Sequence, residues 1–179
     1  MSDWIRWAAP PAIMISVAPP AYATRYLTID EAQRLAFPTA SRFVAAHIVF
    51  RPRDVTAIER LSGHKVRTRG QQVWRAEADA RLLGFFIVDY VIGKHLVIDY
   101  AVALDPDGRV LQVDILEYRE SYGGEISNRS WLAQFVGKAG RDPVELDRDI
   151  RNISGATLSS RHVTEGVKRI LALYETCLR

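Results

Sequence analysis

The sequence predicts an α+β fold in which an antiparallel β-sheet meander is flanked by helices, with a C-terminal amphipathic helix packed on the sheet. The first observation is a series of apolar or alternating segments between Gln72 and Tyr118. The second is Asp105-Pro-Asp-Gly108, a strong turn signal between two of these segments. The third is a helical apolar stripe near the C-terminus, with spacings of four, three, one and three, formed by Val163, Val167, Ile170, Leu171 and Tyr174.

The sheet is predicted from its centre outwards. Three successive strands are expected at residues 82–92, 95–104 and 109–118. The connections between them are too short for a crossover, so these strands must run antiparallel. Two further alternating segments, 65–69 and 72–77, are predicted upstream, with Gly70 between them as a turn or a bulge.

Short helices are predicted before and among these strands. Thr28 and Glu31 form a capping box for a helix over residues 28–37, which Pro38 ends. Residues 41–50 fit either a buried strand or a continuation of the helical region, and their β-branched and aromatic content favours the strand.

Three other helical segments follow from local signals. Residues 52–61 predict one or two turns ended by Gly63, and Asn128 is a predicted cap for residues 129–137. Asp142 and Pro143 predict one more short helical turn. Trp131 and Phe135 are expected in the core rather than at a binding surface.

Composition excludes several classes of function. The chain has 179 residues, 48% apolar and 25% charged, which are the proportions of an ordinary globular protein. Its formal charge of +3 is spread along the chain, so no nucleic-acid partner is expected. Cys177 is the single cysteine, and the four histidines lack metal-ligand spacing, so neither an internal disulfide nor a metal site is expected.

The first 23 residues predict a leader. Arg6, a short apolar run and the small residues Ala21 and Ala23 fit a secretory signal cleaved after Ala23, although Asp3 and Pro10-Pro11 are untypical of one. The alternative is a Pro/Ala-rich disordered leader. We therefore expect residues 1–23 to be a leader, residues 24–179 to be a single domain, and the mature protein to be periplasmic or secreted.

Residues 149–160 are the candidate functional stretch. Small side chains here lead into the C-terminal helix, whose first N–H groups and dipole favour an anion. A serine-capped ordinary loop is the alternative. Gly123 and Gly124 mark a second loop where the backbone turns or a flat group approaches. No Gly-x-Ser-x-Gly elbow, dinucleotide fingerprint or Walker loop is present, and Glu120 with Glu125 is too common a pairing to indicate a glycosidase.

The motif Ser154-Gly-Ala-Thr-Leu-Ser-Ser160 resembles the flavinylation motif of the FMN-binding domain family, which includes the C subunit of the sodium-pumping NADH:quinone oxidoreductase and the G subunit of the Rnf complex. The turn at Asp105, the strand after it and the segment from Glu120 to Gly124 also resemble the family, so the likeness covers about residues 84–173. In that family a flavin transferase attaches FMN to the motif threonine as a phosphoester. The resemblance therefore implies FMN as cofactor and Thr157 as its attachment residue.

The resemblance also implies which residues surround the cofactor. The phosphate would lie beside the amides of the motif, and the ring would reach the glycine loop and the 93–95 turn. The implied contacts are Ser154, Gly155, Ala156, Leu158 and Ser159 for the phosphate and ribityl chain, and Tyr122, Gly123, Gly124 and Glu125 for the ring, with Lys94 or His95 as the hydrogen-bond partner of its polar edge.

Two positions depart from the family pattern. Family motifs often carry an acidic residue three places before the serine, where this chain has Arg151, and the nearest acid is Asp149. The usual Gly-Leu-Gly loop is replaced by Tyr122-Gly-Gly-Glu125.

The expected function is electron transfer by a covalently bound FMN outside the cytoplasm. The expected partners are a flavin transferase for maturation and redox proteins or a membrane electron-transfer complex. The alternative is a non-redox module that uses the same helix start for another phosphate or carboxylate. A flavin enzyme with a small substrate is a third possibility, for which the sequence offers no clear acid or base.

Overall fold

The structure is a computed structural model that describes residues 23–120 and 123–179. The predicted leader, apart from Ala23, lies outside these ranges, as does Tyr122 of the predicted glycine loop. The described residues form a six-stranded antiparallel sheet with helices packed on it. The predicted α+β class is therefore confirmed.

The sheet has the order β1-β6-β5-β4-β3-β2, so strands β2 to β6 form a continuous meander and β1 adds to its far edge. All pairings are antiparallel. The strands are β1 (Thr24–Arg25), β2 (Arg42–Val49), β3 (Gly70–Ala78), β4 (Arg81–Ile92), β5 (Val97–Leu104) and β6 (Val110–Tyr118). The helices are α1 (Ile29–Ala36), α2 (Pro52–Ser62), α3 (Arg129–Leu132) and α4 (Thr157–Leu173), with 3₁₀ turns at Gly124–Ser127 and Ala133–Phe135 and a π-helical end at Tyr174–Leu178.

The predicted hairpin turn between β5 and β6 is confirmed. The Asp105 carboxylate accepts hydrogen bonds from the backbone N–H groups of Asp107 and Arg109, at 2.9 and 2.8 Å. Gly108 has a φ of +79°, and a Cβ there would lie 2.2 Å from the ring of Tyr174. Glycine is needed at this position both for the backbone conformation and for the contact with the C-terminal helix.

Helix α4 packs its apolar stripe against one face of the sheet, as predicted. The stripe residues Val163, Val167, Ile170, Leu171 and Tyr174 are each no more than 4% exposed. They share one core with side chains from β4, β5 and β6. Because this helix is anchored along its length, its first residue, Thr157, has a defined place at one end of the sheet.

A buried polar network also joins α4 to the sheet. Tyr100 donates a hydrogen bond of 2.8 Å to the Asp89 carboxylate, and Arg169 pairs with the same carboxylate at 2.6 Å. Burial, followed by the nearby Asp89 charge, raises the pKa of Tyr100 well above its ordinary value. A Cβ at Gly166 would lie 2.2 Å from the Tyr100 hydroxyl, so glycine lets α4 approach this network.

The opposite face of the sheet is covered by α1. The predicted capping box is present: Thr28 N–H donates to the Glu31 carboxylate at 2.8 Å, and Glu31 N–H donates to the Thr28 hydroxyl at 3.2 Å. Ala32 and Phe37 pack with Phe86 and smaller side chains of the central strands in a second core.

Two strand predictions were wrong in part. Residues 65–69 form an irregular segment rather than a strand, and Gly70 begins β3 instead of forming a turn. The physical reason is that Glu59 of α2 holds this segment, accepting hydrogen bonds from Lys65 Nζ at 2.9 Å and Val66 N–H at 3.0 Å. Residues 42–49 do form a strand, but β2 lies at the sheet edge and is mostly exposed rather than buried.

The helices at 52–61 and 129–137 were predicted at the correct positions, but their lengths differ from the prediction. The segment 52–61 is a complete helix of 11 residues, ended by Gly63. Asn128 caps α3 through Ser130 N–H, but α3 has 4 residues and continues only as a 3₁₀ turn. No helix begins at Asp142, whose carboxylate instead accepts a hydrogen bond from Ala139 N–H at 2.8 Å. Trp131 and Phe135 lie in the core, as predicted.

Candidate functional site

The start of α4 has no side-chain cap. Its N-cap residue is Ala156, and the first helical hydrogen bond runs from Ser160 N–H to Ala156 C=O at 2.9 Å. The alternative of an ordinary serine-capped helix is therefore wrong. The N–H groups of the first turn, at Thr157, Leu158 and Ser159, can donate hydrogen bonds to an anion. The helix dipole also favours an anion here.

The loop before the helix presents its backbone to solvent. Ser154, Gly155, Thr157 and Leu158 are exposed, whereas Ala156 is 4% exposed. Gly155 has a φ of +86°, and a Cβ there would meet no atom within 4 Å. A ligand has open access to this backbone, and the small side chains leave room for its close approach.

The hydroxyl of Thr157 lies beside a fixed amide. Asn152 Nδ2 is 3.4 Å from Thr157 Oγ1, and Asn152 Oδ1 accepts from Ile153 N–H at 2.8 Å and from the Ser160 hydroxyl at 3.0 Å. Ser160 is fully buried and also contacts the C=O groups of Ala156 and Thr157. Asn152 and Ser160 lie within the predicted stretch 149–160, but the motif assigns them no contact with the cofactor, because their contacts depend on the path of the loop.

Two side chains from the Trp131–Gln134 segment hold the backbone that leads into the motif. Trp131 Nε1–H donates to Arg151 C=O at 2.6 Å, and Gln134 Oε1 accepts from Arg151 N–H at 2.9 Å. Both backbone polar groups of Arg151 are thereby paired, while its side chain is exposed. Arg151, the residue at the usual acidic position, thus has a fixed backbone and a charge on the surface.

Asp149, the nearest acid in sequence, has a structural role. Its carboxylate pairs with Lys138 at 2.7 Å and accepts hydrogen bonds from the N–H groups of Glu145 and Val144, at 2.7 and 3.2 Å. Burial would raise the pKa of Asp149, but these hydrogen bonds and the Lys138 charge together hold it below its ordinary value. Asp149 therefore does not occupy the place of the missing acid near Thr157.

The glycine loop adjoins the motif. Gly123 is buried with a φ of +91°, and a Cβ there would lie 2.6 Å from the Tyr118 hydroxyl and 3.2 Å from the Ala156 Cβ. The Tyr118 hydroxyl is 3.4 Å from Ser159 Oγ, and burial raises the pKa of Tyr118. Gly124 begins the 3₁₀ turn that follows, and Glu125 is exposed there.

The β4–β5 connection reaches the same end of the sheet. Glu120 Oε1 accepts hydrogen bonds from the N–H groups of His95 and Leu96, at 2.5 and 2.9 Å. Burial opposes ionisation of Glu120, but the hydrogen bonds from this connection lower its pKa overall. A Cβ at Gly93 would lie 3.3 Å from Ser159 Oγ, so the connection borders the helix start and Lys94 is exposed beside it.

An open groove of about 1020 Å³ lies beside the loop that precedes the motif, and none of residues 154–160 lines it. Its walls include Glu125, Asn128, Trp131, Gln134, Asn152 and Ile153. This groove is large enough for a cofactor-sized molecule. Of the described residues predicted for the site, Glu125 alone lines this groove. Lys94 lies on the β4–β5 connection, outside the groove.

Within residues 23–120 and 123–179, no group of three or more His, Cys, Asp or Glu side chains is arranged to hold a metal ion. No helix in the same ranges has the length and apolarity needed to cross a membrane.

Part of this chain matches a known protein family. Residues 93–172, from the β4–β5 connection to the end of α4, match the family model of the FMN-binding domain. The resemblance inferred from the motif is confirmed, and FMN is the cofactor of this domain.

Two relatives give the comparison more detail. The chain is 28% identical over 111 residues to the G subunit of the proton-translocating ferredoxin:NAD(+) oxidoreductase complex of Clostridium ljungdahlii, a match that spans 57% of this chain and 60% of that protein. The crystal structure of Shewanella oneidensis NqrC has the same fold, with a TM-score of 0.55 and 18% identity over 80% of this chain and 84% of that one.

Proposed function

We propose that this chain is an extracytoplasmic electron-transfer flavoprotein that carries FMN covalently on Thr157. The observation that carries the proposal is the position of Thr157. Its hydroxyl is exposed at the first residue of the 17-residue helix α4, in a helix start without a side-chain cap, inside the matched FMN-binding domain. A phosphoester at this hydroxyl would leave its phosphate next to the N–H groups of the first helical turn.

The residues of the helix start fit an FMN phosphate. The N–H groups of the first turn and the dipole of α4 stabilise a negative charge at the helix N-terminus. Gly155 provides a positive-φ backbone with open space where a Cβ would project, so that side of the loop is free for the phosphate and the ribityl chain. The structure therefore has the donors and the space that the proposal requires.

The surroundings also suit a flavin ring. Leu158 and Leu96 are 44% and 40% exposed, which offers apolar surface on α4 and on the β4–β5 connection. Lys94 is exposed in the same connection and would stabilise negative charge on a reduced ring. Bound FMN supplies the redox chemistry, while the protein orients it and sets its potential through nearby charge and hydrogen bonds.

The relatives support the proposed partners. The similar Clostridium ljungdahlii protein is named as a subunit of a proton-translocating ferredoxin:NAD(+) oxidoreductase complex. We infer that this chain likewise exchanges electrons with redox proteins or with a membrane electron-transfer complex. A flavin transferase is the proposed maturation partner, and the signal-like leader supports a periplasmic or secreted location.

The decisive experiment is intact mass measurement after co-expression with a flavin transferase. The proposal expects an added mass of one FMN less one water, together with a flavin absorption spectrum that remains after denaturation and filtration. Thr157→Ala should abolish both. Thr157→Ser is the matched variant, since it retains a hydroxyl and should accept FMN at a reduced level.

The outcomes separate the competing functions. An unmodified wild-type protein would contradict covalent attachment. A colourless protein whose cellular function tolerates Thr157→Ala would favour the non-redox module. Fractionation of cells producing the full chain, with N-terminal sequencing of the mature protein, tests the location. Accumulation of uncleaved protein in the cytoplasm would contradict export.

A further inference from the structure

We propose that Asn152 positions the Thr157 hydroxyl for flavin transfer, and that the Ile153 N–H fixes the orientation of the Asn152 amide, with the Ser160 hydroxyl beside it. The inference rests on the proposed attachment of FMN at Thr157. It adds a specific positioning residue that precedes the motif, at a place where the sequence offers no acidic side chain.

The orientation of the Asn152 amide follows from its partners. Ile153 N–H can only donate, and it lies 2.8 Å from the Asn152 oxygen. The Ser160 hydroxyl lies 3.0 Å from the same oxygen. With the oxygen occupied on that side, the amide nitrogen must face the Thr157 hydroxyl, from which it is 3.4 Å away.

Ser160 anchors the amide to helix α4, because its own side chain cannot move independently of the helix. Its side chain is fully buried, and its hydroxyl also lies 2.9 Å from Ala156 C=O. The backbone before Asn152 is fixed as well, through the bonds from Trp131 and Gln134 to Arg151. The amide is therefore held from both sides, while the hydroxyl that it contacts is exposed.

The consequence concerns the transfer step. Thr157 Oγ forms a bond to the phosphorus of the FMN half of FAD, the P–O–P bond breaks, and AMP leaves with the electron pair of that bond. The hydroxyl proton passes to a base of the flavin transferase. An Asn152 N–H that donates to Thr157 Oγ1 occupies one lone pair of that oxygen. The hydroxyl proton and the other lone pair are then directed outwards, towards the transferase.

The test uses the full-length protein, a purified flavin transferase, FAD and Mg²⁺, with the rate of FMN transfer followed by intact mass and in-gel fluorescence. Asn152→Asp is the informative variant, because it retains an oxygen for Ile153 and Ser160 but replaces the N–H donor. Asn152→Ala removes all three contacts. We expect both variants to lower kcat for transfer by roughly three- to tenfold, the effect of one hydrogen bond, with an unchanged KM for the carrier protein.

A purely structural role gives a different pattern. If Asn152 only stabilises the loop, Asn152→Asp transfers FMN at the wild-type rate, and Asn152→Ala raises KM or lowers the melting temperature. A faster Asn152→Asp variant would also overturn the donor role. If wild-type protein accepts no FMN, or Thr157→Ala still does, the attachment proposal itself fails, which distinguishes that outcome from failure of the Asn152 inference.

Discussion

At the scale of single residues, Asp149 shows how a charge can stabilise the loop before the motif. Its carboxylate joins Lys138 to two backbone N–H groups and has a lowered pKa. A group with a lowered folded-state pKa stabilises the fold above its unfolded pKa of about 3.9, and this stability is lost as the pH falls through the folded-state pKa.

We therefore expect Asp149→Asn to lower the free energy of unfolding by about 1–3 kcal/mol at pH 7. The difference from wild type should narrow as the pH falls below about 4, because the wild-type carboxylate becomes protonated. Urea unfolding at a series of pH values measures this. Asp147→Asn is the control, since that side chain is exposed and takes part in no ion pair among the described residues. An equal loss in both variants would contradict the prediction.

Gly123 gives a second residue-scale prediction, about the contact between the glycine loop and the motif. Gly123→Ala would bring a Cβ to 2.6 Å from the Tyr118 hydroxyl and also strain a positive-φ backbone. Gly137 has a φ of +81° with no atom within 4 Å of the added Cβ, so Gly137→Ala carries the backbone cost alone. We expect losses of about 2–4 kcal/mol for Gly123→Ala and about 1 kcal/mol for Gly137→Ala in urea unfolding. Similar losses in the two variants would mean that the loop moves to accommodate the added Cβ without loss of stability, which would contradict the prediction.

At the scale of elements, the network of Asp89, Arg169 and Tyr100 fixes α4 on the sheet. Asp89 and Arg169 have side chains that are 5% and 18% exposed, so loss of one partner leaves a buried charge. We expect Asp89→Ala to lower the free energy of unfolding by about 3–5 kcal/mol. Tyr100→Phe removes one neutral hydrogen-bond donor and should lower the free energy of unfolding by about 1 kcal/mol. Urea unfolding compares the two, and an Asp89→Ala loss no larger than that of Tyr100→Phe would contradict the assigned role.

Elements with strong local signals were predictable from the sequence, and elements that depend on distant contacts were not. Three predicted elements were confirmed because residues close in sequence determine each of them: the capping box at Thr28, the turn at Asp105 and the apolar stripe of α4. Residues 65–69 alternate like a strand, but Glu59 in the preceding helix fixes them as a loop through side-chain contacts that the alternating pattern does not reveal. The contact of Asn152 with Thr157 could likewise not be predicted from the sequence, because it depends on how residues 131–134 hold the segment before Asn152.

At the scale of the whole molecule, the three core clusters draw all their residues from the stretch between Leu27 and Leu178. The first strand, β1, begins at Thr24 and pairs with the end of β6. Among the described residues, the sheet and its three cores are thus built from residues 24–178. The proposed cleavage after Ala23 requires that the mature domain folds from these residues alone.

Because the sequence predicts that residues 1–23 are removed on export, we expect the free energy of unfolding of a chain of residues 24–179 to lie within about 0.5 kcal/mol of that of the full-length chain. Urea unfolding of both proteins measures this, and the two should also accept FMN from a flavin transferase at the same rate. A shorter chain that includes residues 28–179 is the contrasting variant, since it lacks β1 and should lose stability by about 1 kcal/mol or more. Loss of more than about 1 kcal/mol on removal of residues 1–23 alone would show that the leader belongs to the folded domain, and would count against its being a cleaved signal.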